Sequence, residues 1–429
     1  MKRSIFMVCL LTVVMAVVGC GSGGEKKPLT DRDVLMSIFK SLNGKNWNDK
    51  AKENWGSEEP LSKWNGVKAD ENGRVTELRI SNDSVRGVYP AEIGQLSELK
   101  ALVLKGGGKD VMVTPFPASI GDLTNLKSLT LSGSVESGGE LVFPPLGNLT
   151  NLESLSLSGS VKKGGAFAFP SLGGLTNLKK LYLSGSAKSP EGLGQLTNLK
   201  DFEFNDIIGD LPADLSKLTA LERIFIRGAE FTGTLPADIG NLKKLTFLLI
   251  DKSQFIGMVE PLKGDIPASI WELENLDRLF LRSVATGGRL PADINKLKKL
   301  TNITILSCGL TGEIPKSLYS MTQLKALVIY YNNLTGIISP EIGNLTALEE
   351  ISLHDNQLTG TLPTSLGKLT KLKSLQVQKN QLTGTIPAEL ANCPLDGVFV
   401  DFTGNKFSGD IAPALKAHPR FEKWKLDKK

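Results

Sequence analysis

From Val75 onward the chain repeats one pattern of apolar and polar positions. A leucine is followed by apolar residues at the fourth and sixth places, as in Leu348, Ile351, Leu353 and again in Leu372, Leu375, Val377. Each unit then runs through an asparagine at the ninth place, an apolar residue at the eleventh, a glycine, and an apolar residue joined to proline. Asn356, Leu358, Gly360, Leu362, Pro363 and Asn380, Leu382, Gly384, Ile386, Pro387 show this. Units begin at Leu276, Leu300, Leu324, Leu348 and Leu372, a spacing of 24 residues. The same frame starts upstream at Val75, Leu99, Leu126, Leu152, Leu178, Leu199, Leu221 and Leu245. It continues into a degenerate unit at Gly397 and ends with Phe421, Trp424 and Leu426. An internal period of this length decides the architecture before any single element is read.

Apolar fourth and sixth places separated by a polar one predict a short strand with one buried face. The first leucine, the eleventh place and the apolar-Pro step send more side chains to the same interior. Each buried Leu or Ile contributes about 1.5–3 kcal/mol, but one unit cannot close around them, so the units must stack. The Thr-Gly-x-Ile-Pro stretch predicts a second short strand, with proline opening a helical turn. Asn332, Asn356, Asn380 and Asn405, all at the ninth place, are expected to bond buried loop backbone as a ladder. Upstream the ninth place holds Asp83, Ser134, Ser160, Ser186 and Ser253, which can partly substitute, and Cys308, a weaker partner. Ala229 and Val284 cannot substitute at all. The first two-thirds are therefore expected to be less regular and less stable than the repeats from Leu300.

The pattern L-x-x-L-x-L-x-x-N-x-L-T-G-x-I-P resembles the plant-type class of leucine-rich repeat proteins, over about 355 residues. The resemblance implies an α/β solenoid: a horseshoe or superhelix with a parallel sheet on the concave face, and short second strands and helical turns on the convex side. It also implies a helical cap before the repeats. Thr30-x-x-Asp33 reads as a capping box, Val34, Leu35, Ile38, Phe39 and Leu42 line one helical face, and Gly44 is the expected stop. Trp47, Trp55 and Trp64 follow and are expected in the core. Ser62 to Ala69 resembles the plant cap, but Ser62 and Ala69 stand where that family has cysteines, so aromatic packing must replace the disulfide.

Longer units mark insertions. Those from Leu99, Leu126 and Leu152 carry Gly106-Gly107-Gly108, Gly138-Gly139 and Gly164-Gly165, and Val161 to Pro170 reads as a hairpin-like excursion. The longest unit, from Leu245, adds Met258-Val259-Glu260-Pro261, either a loop near a binding face or a neutral bulge.

On the inner face, Ser128, Thr130, Ser132 and Ser154, Ser156, Ser158 predict a flat hydroxyl surface. The next units differ. One column reads Arg223, Phe247, Arg278, the next Phe225, Leu249, Phe280, and the third Arg227, Asp251, Arg282. Leu306, Tyr330, Tyr331 and His354 extend this stretch. Aromatic and arginine side chains are the usual anchors of protein interfaces, and an exposed apolar column flanked by guanidinium groups is unusual for an inert surface. The other arrangement is a self-contained one, with Arg227, Asp251 and Arg282 satisfying one another and Arg223 and Arg278 stacked on Phe247. Asp201 and Glu203 on the preceding unit make the field mixed, so no anionic ligand is inferred.

The N-terminus reads as an address. Lys2 and Arg3 precede an apolar run from Ile5 to Val18, too short to span a membrane comfortably and suited to a secretory signal. Val17-Val18-Gly19-Cys20 resembles the lipobox of bacterial lipoproteins, which implies cleavage before Cys20 and lipidation of its thiol. The expected layout is signal 1–19, flexible tether 20–27, cap 28–74, repeats 75–411 and C-terminal cap 412–429. Without aspartate after Cys20, and with only Glu25 acidic in the tether, an outer-membrane lipoprotein is expected, surface-exposed or facing the periplasm. Bacteroidetes-like surface lipoproteins are the comparison here, and Asp83-Ser84-Val85 resembles their short O-glycan acceptor motif.

The remaining chemistry is sparse. Lys and Arg number 50 against 45 Asp and Glu, a net +5 too dispersed for nucleic acid. Two histidines and four cysteines leave no metal cluster and little for histidine catalysis. Cys308 and Cys393 lie several repeats apart and are expected as unpaired structural thiols. His354 beside Asp355 is discounted as a dyad, since consecutive strand residues point apart and solvent exposure accounts for the pair. No nucleotide, hydrolase or zinc-protease motif occurs, and no cofactor is implied. The expected function is non-catalytic recognition by a monomeric, lipid-anchored protein, with a protein or peptide as ligand, then a glycan. The alternatives are a structural or adhesive envelope component with distributed contacts, or a glycan-binding module.

Overall fold

The computed structural model describes residues 28–81, 85–106, 116–135, 140–161, 166–252, 260–396 and 399–427. Outside them lie the leader with Cys20 and the tether, Asp83 and Ser84, six of the insertion glycines (Gly107, Gly108, Gly138, Gly139, Gly164 and Gly165), Ser253, Met258, Val259 and Gly397.

Helix α1 (Asp31–Ser41) opens the fold. Thr30 Oγ1 accepts from the Asp33 N–H at 3.2 Å and the Asp33 carboxylate accepts from the Thr30 N–H at 2.9 Å, closing the capping box. The helix stops at Leu42, and Asn43, not Gly44, adopts the left-handed conformation at φ 54°. Gly44 serves a different need, because a Cβ there would strike the Phe39 ring. Trp47, Trp55 and Trp64 are buried. Phe39 lies 5.4 Å from Trp47 and 5.7 Å from Trp55, and Trp55 lies 5.3 Å from Trp64. The buried Asp31 carboxylate fastens this layer to the repeats, accepting from the Val75 N–H at 2.6 Å and from Arg74 Nε at 3.1 Å.

Fifteen strands form one sheet in chain order: β1 (Val67–Ala69), β2 (Val75–Ser81), β3 (Ala101–Lys105), β4 (Ser128–Val135), β5 (Ser154–Val161), β6 (Lys180–Ala187), β7 (Asp201–Ile207), β8 (Arg223–Arg227), β9 (Phe247–Asp251), β10 (Arg278–Arg282), β11 (Asn302–Leu306), β12 (Ala326–Tyr330), β13 (Glu350–Ser352), β14 (Ser374–Gln376) and β15 (Val400–Asp401). Only β1 runs antiparallel to its neighbour; the others are parallel. The architecture is a leucine-rich repeat solenoid. Every unit-opening leucine from Leu99 to Leu372 is fully buried, as the period requires.

Behind the sheet, the Thr-Gly stretches pair in parallel, as in 209–210 with 231–232 and 311–313 with 333–335. After the prolines come short 3-10 turns such as Ala118–Asp122 and Thr364–Lys368, each stopped by the leucine three residues before the next unit, Leu123 and Leu369. The insertions are not hairpins where they can be followed. Residues 140–142 pair in parallel with 166–168 of the next unit, so the excursions stack on each other. The C-terminal segment includes helix α2 (Pro413–Lys416) and covers the open edge of β15 through a parallel bridge between Asp401 and Lys425.

Two interior supports differ along the chain. Asn356 Oδ1 accepts from the Leu334 N–H at 3.0 Å while its Nδ2 donates to the carbonyls of Ile329, Leu353 and His354. Asn332, Asn380 and Asn405 make corresponding bonds. Upstream, β5 and β6 run on to Val161 and Ala187, which leaves Ser160 and Ser186 exposed on the strand surface rather than bonded to buried loops as expected. Aromatic residues at the Pro-preceding place fill that interior instead. Tyr89, Phe116, Phe143 and Phe169 stack in series with centroids 5.8, 5.8 and 5.9 Å apart. A second asparagine row lies in the turns, where Nδ2 of Asn125, Asn151 and Asn177 each donate to a carbonyl of the preceding unit at 2.8–2.9 Å.

Candidate functional site

Register places the inner-face residues in straight rows. The first runs Asp201, Arg223, Phe247, Arg278, Asn302, Ala326, Glu350. The second runs Glu203, Phe225, Leu249, Phe280, Thr304, Val328, Ser352, and the third Asn205, Arg227, Asp251, Arg282, Leu306, Tyr330. Strands β8 and β10 present the same Arg-apolar-Phe-apolar-Arg sequence on either side of β9.

Asp251 sits between them with its side chain only 4% exposed. Arg227 Nε lies 3.6 Å from its Oδ2 and Arg282 Nε 3.7 Å from its Oδ1. The same guanidinium groups cover neighbouring rings: Arg227 Cζ lies 5.0 Å from the Phe225 centroid and Arg282 Cζ 5.5 Å from that of Phe280. Arg223 Cζ lies 5.6 Å over Phe247, while Arg278 pairs with Asp277 at 3.5 Å and makes no such stack. This stretch is thus held together by ion pairing and ring stacking, although Arg227 Nε is buried without a hydrogen bond. The expected exposed apolar column is interrupted as well. Leu249 keeps 8% of its surface, because it is shorter than the flanking Phe225 and Phe280 and sits between them.

The apolar surface lies one step further on. Leu306, Ala326 and Val328 form a small cluster on the inner face, separate from the main core, with Phe280 and Tyr330 packed against it. Ala326 and Val328 were not singled out from the sequence, although the outward places of β12 (Ala326, Val328, Tyr330) are all apolar. Tyr330 stacks on His354 at 4.0 Å, and Tyr331, 52% exposed at φ 52°, meets the His354 ring edge-on at 5.4 Å. Burial raises the Tyr330 hydroxyl and the Glu350 carboxyl above their usual ranges.

His354 and Asp355 do form a bonded pair, contrary to expectation: Nδ1 lies 2.8 Å from Asp355 Oδ2, and His354 is buried. The reason is local. Strand β13 ends at Ser352, and Asp355 turns back at φ 49°, so strand alternation no longer applies. Lys379 Nζ reaches the other Asp355 oxygen at 3.2 Å, which makes the pair part of a surface ion network. Leu306 and Asp251 are likewise buried, so with His354 they form the floor of the patch, while the phenyl rings, Tyr330 and Tyr331 form its accessible part. Cys308 and Cys393 are both buried free thiols. Among the described residues no group of three His, Cys, Asp or Glu is placed to hold a metal, and no helix is long and apolar enough to cross a membrane.

The leucine-rich repeat region family matches residues 267–393, the segment where spacing and asparagine ladder are most regular. No curated protein sequence matches the chain. Among solved structures, a TDR receptor is similar at 26% identity with a TM-score of 0.59, over 78% of this chain. The match takes in 64% of that receptor's chain, so this chain spans less than two-thirds of it. A leucine-rich repeat protein of Leptospira interrogans is similar at 26% identity with a TM-score of 0.57, over 82% of this chain and 88% of the other.

Proposed function

We propose that this solenoid is a non-catalytic recognition protein that binds a protein or peptide ligand on its inner face. The observation that carries the reading is the second apolar cluster, Leu306, Ala326 and Val328 with Phe280 and Tyr330, set on the inner face apart from the core and continued by the exposed Tyr331. Apolar side chains buried by one another on a surface, rimmed by aromatic residues and arginine, match the anatomy of an interface centre. The repeat fold supports the reading because stacked units present a long continuous surface.

The binding surface so proposed centres on Phe280, Tyr330 and Tyr331, with Phe225, Phe247 and the four arginines at its rim. Lipid anchoring at Cys20 and display from the outer membrane complete the proposal, supported by the N-terminal pattern alone. Pull-down with biotinylated protein from cell-surface and secreted fractions supplies the ligand. Phe280→Ala and Tyr330→Ala should then each weaken binding at least about tenfold, with Phe247→Ala weaker in effect. Unchanged binding in both would leave distributed adhesion instead. Protease added to intact cells, and loss of lipid labelling in Cys20→Ala, test the anchor separately.

A further inference from the structure

Before the arginine-rich strands, the inner face carries a notch of different character. Strands β5 to β8 enclose an open hollow of about 330 Å³, at the small end of ligand sites, which span roughly 300–1,000 Å³. One row across it reads Ser156, Tyr182, Glu203, Phe225, and the next Ser154, Lys180, Asp201, Arg223. Two aromatic rings therefore flank a carboxylate, at about 4.8 Å per strand, and a line of alternating charges runs beside them.

The charges in the notch cancel: Lys180 and Arg223 against Asp201 and Glu203. Their hydrogen-bonding capacity does not. Asp201 and Arg223 stand 3.9 Å apart, beyond hydrogen-bond reach, and one Glu203 oxygen accepts from Asn205 Nδ2 at 2.8 Å. Among the described residues, Lys180 Nζ and the Tyr182 hydroxyl have no hydrogen-bond or ion-pair partner. Arg223 also lies 5.6 Å over Phe247 and Arg227 covers one side of Phe225 at 5.0 Å, so the groups left open in the notch are chiefly the Lys180 ammonium and the Tyr182 ring and hydroxyl.

We propose that this notch is a binding site for a neutral carbohydrate chain. A pyranose ring has an apolar C–H face and an edge of vicinal hydroxyls. Aromatic side chains receive such a face by contact, and carboxylate and guanidinium groups, each with two parallel bonding atoms, suit paired hydroxyls. Zero net charge gives no preference for an ionic ligand, and a shallow open hollow admits a chain passing through rather than a buried end. The notch shares Phe225 and Arg223 with the rim of the proposed peptide surface but not its centre at Phe280 and Tyr330, so variants at that centre separate the two readings.

The test is ligand-observed saturation-transfer NMR and calorimetry on the full chain with neutral oligosaccharides of glucose, mannose, galactose and N-acetylglucosamine. At least one should bind, with affinity insensitive to salt. Tyr182→Ala and the isosteric Glu203→Gln should each weaken it about tenfold or more, while Tyr182→Phe stays within about threefold. Phe280→Ala should leave sugar binding unchanged. The proposal is overturned if no neutral oligosaccharide binds, if a bound one is indifferent to both Tyr182→Ala and Glu203→Gln, or if the notch instead takes acidic peptides with steep salt dependence.

Discussion

Cys308 and Asn332 hold equivalent places one repeat apart and reach the same kind of partner. Asn332 Nδ2 donates to the carbonyls of Ile305 and Tyr330, each at 2.9 Å. The Cys308 thiol points at Leu281 and Leu306, at 3.8 and 3.2 Å, the carbonyls the same number of residues back. The Cys308 N–H in turn donates to Asn332 Oδ1 at 3.1 Å. The thiol is therefore the last, weak rung of the asparagine ladder.

Replacing that rung with the stronger partner should stabilise the protein. In Cys308→Asn the amide would donate to both carbonyls that the thiol now faces. A gain of about 0.5–1.5 kcal/mol is expected, read as a higher urea midpoint. Asn356→Ala should do the reverse, removing the acceptor of the Leu334 N–H and the amide donor of the Ile329 carbonyl, while Leu353 and His354 keep bonds from Asn380 and from the Tyr331 N–H. Its expected loss is about 2–3 kcal/mol.

Alkaline pH should act on the same thiol. Burial raises the Cys308 pKa from 9.0 to about 11. The neutral thiol is thus favoured in the folded state, so its contribution is whole below pH 9 and is lost as pH rises toward 11. Comparing Cys308→Ala with the parent at rising pH should show the parent's melting temperature falling more steeply across that window. Native protein should also resist thiol reagents at pH 8, with labelling appearing only on unfolding.

The solenoid was legible from the sequence because its signal is repeated: thirteen leucines or their substitutes at nearly constant spacing leave few other ways to bury an apolar face. The upstream support was less so. Serine at the ninth place looked like a weakened ladder, whereas the strands continue past it and the stabilising groups sit elsewhere, at Tyr89, Phe116, Phe143 and Phe169 before their prolines. A recurring aromatic-Pro step was the available signal. On the inner face, the rows were readable but their pairing was not. Whether Arg227 and Arg282 meet Asp251 or solvent depends on side-chain direction across three strands, which no spacing specifies.

Truncating the upstream stack tests whether it replaces the ladder. Phe143 touches Phe116, Phe167 and Phe169 with centroids 5.8–6.2 Å apart. Phe143→Ala should cost about 3–5 kcal/mol, and the damage should stay local because repeats couple mainly to their neighbours. Hydrogen exchange should speed up in the units around Phe116 to Phe204 and remain unchanged beyond Leu300. Uniform acceleration along the chain would contradict the nearest-neighbour account.

The Asp251 cluster supplies the last prediction, because two guanidinium groups serve one buried carboxylate. Removing either alone leaves the other within 3.7 Å, and methionine keeps much of the apolar cover over Phe225 or Phe280. Arg227→Met and Arg282→Met should therefore each cost about 1 kcal/mol or less, as half-exposed ion pairs usually do. Together they remove both guanidinium counter-charges from a carboxylate whose side chain is 4% exposed, and weakening a buried charge in that way costs up to about 3–5 kcal/mol. The double variant should exceed the sum of the singles in urea unfolding, and adding Asp251→Asn should recover most of the excess. Strict additivity would mean that the arginines are held by their rings and not by Asp251, and would leave both guanidinium groups available to a ligand.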